Sequence, residues 1–395
     1  MIDAAVDRYN PPPVRRPDVI RIDGSDGGGG VLRTALGFAI ATGRPVQVDD
    51  VRGDRPNPGL KPQHVACVDA ACAVADGRAS TDERGLEAID DGNAAVDTGA
   101  DTVVFEPGPV TGGTHDVDVG TAGSATLVAT TVLPAALVAD GTVRLRIDGG
   151  TDVAWSPPAD YLAGVTLPVL RAHGLAAAVD TPRRGFYPAG GGRLDLTLGP
   201  STPRRLGLAL ANAPNRGTVE RVDVAAVASA DLLDANVADR MAREAATRLD
   251  ECGVPVGSRA ARYADTDSTG AVVTLRVARG IEDRVDRGDD DTTADGSAVP
   301  VAGFSALGEQ GVPAETIANR AVSGLERWGR SPGVVDARLA DQLVPWLALV
   351  GGTVRVPSVT DHVASAVAVA RAFDRPIDVD DGGTPHDGVL LVGPS

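Results

Sequence analysis

Two of the five histidines stand in surroundings suited to phosphate chemistry, and the first is His362. It follows a strand-like run ending at Val356 and precedes an apolar helical pattern, so it should lie near a helix N-terminus, where anions bind. Asp361 and Ser358 are placed to orient the ring and fix its tautomer. Taken alone, this pattern favours a structural or surface histidine over a reactive one.

The second is His64, at the end of a segment that starts at Arg52 and contains Arg55, Lys61 and Gln63. Its prolines and glycines predict a loop. Arginine forks bind phosphate bidentately, and a proline-rich loop positions them at low entropic cost. Because Lys61 is the chain's only lysine, we favour a phosphate-binding loop over a solvated basic loop.

A third segment, Asp23 to Gly30, is rich in glycine and lies between a predicted strand and a predicted helix. Glycines let backbone N–H groups approach an anion closely. The segment lacks the Gly-Lys-Ser/Thr of a Walker loop and the spacing of a dinucleotide fingerprint. Asp26 is suited either to holding Mg²⁺ or to capping the helix.

The remaining histidines and the cysteines are predicted to be structural. The cysteines are too few and too scattered for a disulfide framework or a four-ligand zinc site. These residues are His115, His173 and His386, and Cys67, Cys72 and Cys252.

The order of elements predicts a mixed α/β (α+β) chain built from repeats. The segment from Leu133 to Leu145 matches the one from Val344 to Val356 without a gap; each reads as a helix, a glycine turn and a strand. An internal duplication explains this best. We therefore predict a large domain of repeated βαβ-type units formed by residues 18–206 and 335–395, after an N-terminal tail of residues 1–17.

The pattern changes between residues 207 and 334, which we predict to be a smaller inserted domain. Strands are expected at Val222 to Val227 and Ala271 to Val277. One helix should carry Leu233, Val237, Met241, Ala245 and Leu249, and another Ile317, Val322, Leu325 and Trp328. The acidic stretch from Glu282 to Asp295 lacks apolar periodicity, which predicts a solvated loop.

Composition indicates an acidic, salt-adapted cytoplasmic protein. The net charge is −17 and 43% of residues are hydrophobic, but no apolar run is long enough to cross a bilayer and the N-terminal tail lacks a signal-peptide core. An acidic chain is an unusual nucleic-acid partner. The objection weakens here because basic residues cluster in the loop that ends at His64.

Taken in order, these segments resemble the RNA 3'-terminal phosphate cyclase family from about Ile20 to the C-terminus. The most specific is the sequence from Gly185 to Gly192, Gly-Phe-Tyr-Pro-Ala-Gly-Gly-Gly. The others are Asp23 to Arg33, Arg52 to His64, Gly123 to Thr126, Gly149 to Asp152 with Pro157 to Asp160, Leu339 to Gln342, and the turn at His362.

The resemblance implies repeats with the translation initiation factor 3 C-terminal fold and a thioredoxin-like insert. It also implies ATP-dependent conversion of an RNA 3'-phosphate to a 2',3'-cyclic phosphate, with Mg²⁺ or Mn²⁺ as metal. His362 would carry AMP and Asp26 would hold the metal. The implied ATP-binding residues are Thr130, Arg338, Leu339, Ala340, Asp341 and Gln342; the implied phosphate- or RNA-binding residues are Arg33, Arg52, Arg55, Gln63 and His64.

This chain departs from the family pattern at several of these positions. The family usually has Glu where this chain has Asp26, and Gln where it has Gly30 and Thr130. It usually has Tyr where this chain has Arg338, and Thr-Asn where it has Ser365-Ala366. Two other functions stay open: a noncatalytic cyclase-like factor in ribosomal RNA processing, and an enolpyruvyl transferase built from similar repeats. The retained His362 argues against the first, and the predicted insert against the second.

Overall fold

The structure is a computed structural model that describes residues 18–82, 84–90, 95–208, 219–279, 299–381 and 388–394. The N-terminal tail, the acidic loop at 282–295 and His386 lie outside these residues. The described strands form four sheets of four strands each, and helices pack against them. The mixed α/β class predicted from the sequence is confirmed.

The first repeat lies between residues 20 and 106. Its strands are β1 (Ile20–Asp23), β2 (Val46–Asp49), β3 (Arg78–Ser80) and β4 (Val103–Glu106), and its helices are α1 (Gly29–Thr42), α2 (Pro62–Val74) and α3 (Leu86–Asp90). Helix α1 ends where the sequence predicts, because Gly43 takes a left-handed conformation that closes it.

The second repeat lies between residues 113 and 198. Its strands are β5 (Gly113–Asp118), β6 (Val143–Gly149), β7 (Ala177–Arg183) and β8 (Gly192–Leu198). Its helices are α4 (Ala125–Val132), continued by a 3-10 turn (Leu133–Leu137), then α5 (Ala159–Tyr161), a π-helical turn (Leu162–Thr166) and α6 (Leu167–Ala172). Strand β6 alternates buried and exposed side chains, as its sequence predicts.

The third repeat is interrupted in sequence. Its strands are β9 (Leu206–Leu208), β14 (Gly352–Val356), β15 (Asp378–Asp380) and β16 (Val389–Gly393), and its helices are α9 (Ala337–Val350) and α10 (Asp361–Ala372). The predicted domain boundary at residue 206 therefore falls within a strand of the third sheet.

All three repeats share one topology. In each, the first strand pairs parallel with the second, the second antiparallel with the fourth, and the fourth antiparallel with the third. The two matching sequence segments end in β6 and β14, the second strands of their sheets. The sequence match thus falls on equivalent positions of two repeats.

The residues between β9 and α9 form the fourth sheet. Its elements are β10 (Val219–Ser229), α7 (Val237–Glu251), β11 (Val256–Ala264), β12 (Ala271–Arg279), β13 (Pro300–Leu307) and α8 (Ala314–Gly329). It has a hydrophobic core of its own. The prediction that Leu233 belongs to the first helix is wrong: α7 begins at Val237, after Asn236 in a left-handed conformation, and Leu233 is exposed.

Helix α1 lies at the centre of the large core. It packs against α2, α4, α9 and α10, so it contacts helices of all three repeats. Phe38 of α1 stacks on Phe373 at the end of α10, with ring centroids 5.3 Å apart and both rings buried. This contact fixes α10 beside α1 and thereby sets where the N-terminus of α10 lies. Every helix of the described residues is too short or too polar to span a membrane.

Candidate functional site

His362 lies on the second residue of α10, in the turn that follows β14. Thr360 caps this helix: its hydroxyl oxygen accepts from Val363 N at 3.1 Å and donates to Asp341 Oδ1 at 2.8 Å. The imidazole is exposed and lines a cavity of about 390 Å³. Neither Asp361 nor Ser358 bonds to the ring. Asp341 is instead the carboxylate that interacts with it electrostatically.

The glycine-rich segment passes directly beside His362. A Cβ at Gly30 would lie 3.6 Å from His362 Nδ1, and one at Gly29 would overlap His64 Nε2. Gly28, which precedes α1, has φ +61°, a conformation that favours glycine. Both histidines singled out in the sequence therefore approach the same few backbone atoms; a side chain at Gly29 would clash with His64, whereas one at Gly30 would be in van der Waals contact with His362.

Arg33 stands next to this backbone on α1. A Cβ at Gly29 would lie 3.0 Å from Arg33 Nη1, and a Cβ at Gly30 would lie 4.0 Å from Arg33 Nη2. Burial lowers the pKa of Arg33. In the described part of the chain, no carboxylate pairs with it. A half-buried guanidinium without a carboxylate is suited to an anionic ligand.

His64 is buried and electrically neutral. Burial, and then the charges of Arg33, Arg52 and Lys61, lower its pKa to about 3. Its Nδ1 accepts from the backbone N–H of Lys61 at 3.0 Å, so the neutral ring carries its proton on Nε2. That nitrogen faces Gly29 beside Arg33, where it can donate to an anion.

The predicted loop is observed from Arg52 to Lys61, but its extension to His64 is wrong, because Gln63 and His64 lie in the first turn of α2. The polar residues of this segment divide between support and binding. Arg52 Nη1 donates to Asn57 O at 2.7 Å and Gly59 O at 2.9 Å, so this side chain shapes the loop. Gln63 Oε1 accepts from Ser124 N at 3.0 Å and ties the start of α2 to the residue that caps α4. Arg55 is exposed, and its Nη2 would lie 3.1 Å from a Cβ at Gly28. Of these three, only Arg55 has its guanidinium beside the glycine segment.

Asp26 lies within the glycine-rich segment and faces a second carboxylate, that of Asp54, which the sequence did not single out. A hydrogen bond to Asp54, and then repulsion from it, raise the pKa of Asp26. The described residues hold no cluster of three or more ligating side chains. Mg²⁺ is usually bound by one or two carboxylates together with substrate phosphates. The Asp26–Asp54 pair fits such a metal site.

The predicted nucleotide segment divides between two faces of α9. Arg338, Asp341 and Gln342 line the cavity. Leu339 and Ala340 are fully buried in the hydrophobic core and do not line it. Side-chain contact with a ligand in the cavity is therefore open to Arg338, Asp341 and Gln342, and the assignment of Leu339 and Ala340 to ATP stays a prediction.

Arg338 and Gln342 are held by neighbouring elements. Arg338 Nη1 donates to Ser305 Oγ at 2.8 Å, and its guanidinium lies over the ring of Tyr161 at 5.4 Å. Gln342 Oε1 accepts from Thr166 Oγ1 at 2.7 Å, whereas its buried Nε2 has no partner among the residues that the structure describes. An unpartnered donor at a cavity wall favours a ligand acceptor. Thr130 also lines the cavity, and its hydroxyl donates to Leu127 O at 3.0 Å.

Trp155 is a cavity residue that the sequence reasoning missed. It lies within the resembling segment from Gly149 to Asp160, whose signal was its glycines, aspartates and prolines. Neither a repeat nor a hydrophobic period marks this position. Its full exposure becomes visible only in the structure.

Comparisons with known proteins identify the family of this chain. A family model described as RNA 3'-terminal phosphate cyclase matches residues 25–376. An RNA 3'-terminal phosphate cyclase of Halobacterium salinarum is 39% identical over 91% of this chain and 97% of that relative. One from Pyrococcus furiosus is 34% identical over 95% and 98%. The solved enolpyruvyl transferase NikO from Streptomyces tendae, 13% identical with TM-score 0.31, covers 96% of this chain and 48% of that one; so weak a likeness supports no conclusion.

Proposed function

The chain belongs to the RNA 3'-terminal phosphate cyclase family, and we propose that it converts an RNA 3'-phosphate to a 2',3'-cyclic phosphate while ATP becomes AMP and pyrophosphate. The observation that carries this proposal is the meeting of His362 with the glycine segment and Arg33 at one cavity. A nucleophile, backbone space for an anion and an unpaired guanidinium are what transfer of a nucleotide requires.

In the first step, an imidazole nitrogen of His362 attacks the α-phosphorus of ATP. A P–N bond forms as the bond to pyrophosphate breaks, which leaves AMP on the histidine. The nearby Asp341 carboxylate stabilises the positive charge that develops on the ring. Burial raises the pKa of Asp341, while the hydrogen bond from Thr360 and the neighbouring His362 oppose that rise.

The leaving pyrophosphate gains negative charge, and the first repeat supplies positive charge and donors to receive it. Arg33 and Arg55 are the cations beside the glycine segment, and the neutral His64 donates from Nε2. Because Arg33 and His64 are desolvated, their interactions with phosphate are stronger than they would be in water. When Mg²⁺ or Mn²⁺ is bound, Asp26 and Asp54 would hold it, and the ion supplies further charge neutralisation.

In the second step, an oxygen of the RNA 3'-phosphate attacks the phosphorus of the histidyl adenylate. The P–N bond breaks, His362 is restored, and the RNA end now carries AMP through a phosphoanhydride. In the third step the neighbouring 2'-OH attacks the 3'-phosphorus, loses its proton and displaces AMP. This last step is intramolecular, and effective molarities on the order of 10⁵ M or more make it rapid without much further help.

The test is transfer of label from ATP carrying radioactive α-phosphate, in Mg²⁺ or Mn²⁺ and high salt. We expect the wild type to retain acid-labile, alkali-stable label after denaturing electrophoresis and His362→Ala to retain none. His115→Ala is the matched control, because His115 lies on β5 and does not line the cavity. A folded wild type without label would refute the nucleophile and favour the noncatalytic RNA-processing role.

The same membership supports three structural proposals. The three repeats would correspond to the translation initiation factor 3 C-terminal fold, and the sheet of β10–β13 to a thioredoxin-like insert. The third proposal is that the chain divides into a large domain of residues 18–206 and 335–395 and an inserted domain of residues 207–334. A cytoplasmic location is proposed from the composition. Limited proteolysis, with mass measurement of the fragments, tests the division.

A further inference from the structure

The two tryptophans that line the cavity differ in their exposure to solvent. Trp155 is 99% exposed, whereas Trp346 of the same cavity is 5% exposed. Trp155 also has φ +60°, a left-handed conformation that costs a bulky residue of order 1 kcal/mol or more. An exposed indole at a strained position gains nothing from the protein's own packing. Its placement favours contact with a ligand.

The loop that carries Trp155 is anchored on both sides. Before it, the buried Asp152 pairs with Arg184 Nη1 through both carboxylate oxygens at 3.0 Å. After it, Ser156 Oγ donates to Val153 O at 3.0 Å, and Pro157 O accepts from the buried Thr126 hydroxyl at 2.7 Å. The exposure of the indole is therefore a fixed feature of a well-bonded loop.

A second exposed aromatic ring stands on the neighbouring loop. Tyr187 is 74% exposed. Its loop is joined to that of Trp155 by hydrogen bonds from Thr151 N to Gly185 O at 2.9 Å and from Asp152 N to Gly185 O at 3.1 Å. Trp155 lines the cavity, and Tyr187 stands on the adjoining loop. Exposed aromatic rings on anchored loops are typical of surfaces on which unpaired bases stack.

We propose that Trp155 is a stacking platform for the 3'-terminal nucleobase of the RNA substrate. This rests on the proposed cyclase function, since the RNA end must reach His362. A wall that enclosed the base of ATP would be packed against its neighbours, as Trp346 is; an indole open to solvent is available to a base arriving from outside. Stacking uses the face that all four bases share, so Trp155 strengthens binding without selecting sequence.

Intrinsic fluorescence gives a direct test, because the other two tryptophans, Trp328 and Trp346, are buried. Without ATP, a short single-stranded RNA with a 3'-phosphate should quench the solvent-exposed emission of the wild type. The quenching should be lost in Trp155→Ala. An otherwise identical RNA whose 3'-terminal nucleotide is abasic should bind the wild type as weakly as the intact RNA binds Trp155→Ala.

Steady-state kinetics separates the RNA from the nucleotide. Trp155→Ala should raise KM for RNA about tenfold or more, from the worth of one stacked base, with a much smaller change in KM for ATP. Trp155→Phe should recover most of the loss. Leu233→Ala, which removes another exposed apolar side chain far along the sequence, is the control and should change neither constant.

Three outcomes would overturn the proposal: an unchanged KM for RNA, a rise in KM for ATP instead, or equal effects of Trp155→Ala on intact and abasic RNA. The second would assign the indole to the base of the nucleotide. Failure of the cyclase proposal is distinguishable, because the wild type would then neither take up label from ATP nor cyclise any RNA.

Discussion

The neutral, buried His64 makes stability depend on pH in a way that the structure quantifies. Its pKa is about 3 in the folded protein, against a usual value of 6.5. A lowered histidine pKa means that the unfolded chain binds a proton more tightly than the folded chain does. Stability is therefore lost as pH falls through the unfolded value of 6.5, and the loss grows until about pH 3, where the folded chain also binds the proton.

Between about pH 7 and pH 5, this single group should reduce the free energy of unfolding by about 2 kcal/mol, because at pH 5 the unfolded imidazole is protonated in roughly a 30-fold excess. His64→Asn removes the titration while its side-chain oxygen keeps an acceptor for Lys61 N–H. Its unfolding free energy should thus fall about 2 kcal/mol less over the same pH range.

The measurement is urea unfolding of both proteins at the two pH values and one fixed, high salt concentration. Comparing the two proteins cancels the contribution of the many carboxylates, which titrate in both. Identical pH dependence would mean that His64 is not buried in neutral form, and the account of its Nε2–H as an anion donor would fail with it. His173→Asn, at a structural histidine bonded to Val169 O and Gly207 N, serves as a second comparison.

Three further predictions address the surroundings of the site. Thr360→Val removes the cap of α10 and its hydrogen bond to Asp341. Urea unfolding should show that the free energy of unfolding falls by about 1 kcal/mol, and label transfer should slow. Thr360→Ser should stay close to the wild type in both measurements. Asp152→Asn removes one of the two carboxylates that pair with the buried Arg184, the other being Asp160, and should cost about 1–3 kcal/mol. Asp148→Asn, at an exposed pair, should cost less; equal losses would contradict the burial argument. Asp26→Asn should relieve the repulsion from Asp54 and leave the free energy of unfolding equal or slightly higher. It should also raise the Mg²⁺ concentration needed for half-maximal labelling. If that Mg²⁺ concentration is unchanged, Asp26 is not a ligand.

Local signals predicted local structure well. The Gly43-Arg44-Pro45 sequence predicts the end of α1, and the residues after Val356 predict the turn before α10; both are observed. The ends and caps of helices depend on a few neighbouring residues, which can be read directly from the sequence. The error at Leu233 has the opposite cause. Its four-residue spacing continues the apolar period, but periodicity does not detect the left-handed Asn236 that starts the helix later.

The separation of α9 into a cavity face and a core face was predictable but was missed. Arg338, Asp341, Gln342 and Pro345 are spaced by three, four and seven residues, the period of one helix face, and all line the cavity. Leu339 and Ala340 fall on the other face. The prediction of one binding segment over residues 338–342 did not take this helical period into account.

Contacts across the chain are a different matter. The pairing of Asp26 with Asp54 and the exposure of Trp155 depend on packing between distant segments, which no short-range pattern encodes. The sequence match covers α9 and β14 of the third repeat but not its first strand, because more than one hundred residues separate β9 from α9. The first repeat did not appear in the match, which joins segments of the second and third repeats only.

The site is a product of the repeats acting together. The first repeat contributes the glycine segment, Arg33 and His64; the second contributes Thr130 and Trp155; the third contributes His362. Since α1 packs against helices of all three, one helix sets the distances among them. Positive charge is available at this point of an acidic chain, because Arg33 and Arg55 both lie beside the glycine segment where α1 begins. Any change that shifts α10 along α1, such as loss of the Phe38–Phe373 stack, should act on His362 from the opposite end of the helix.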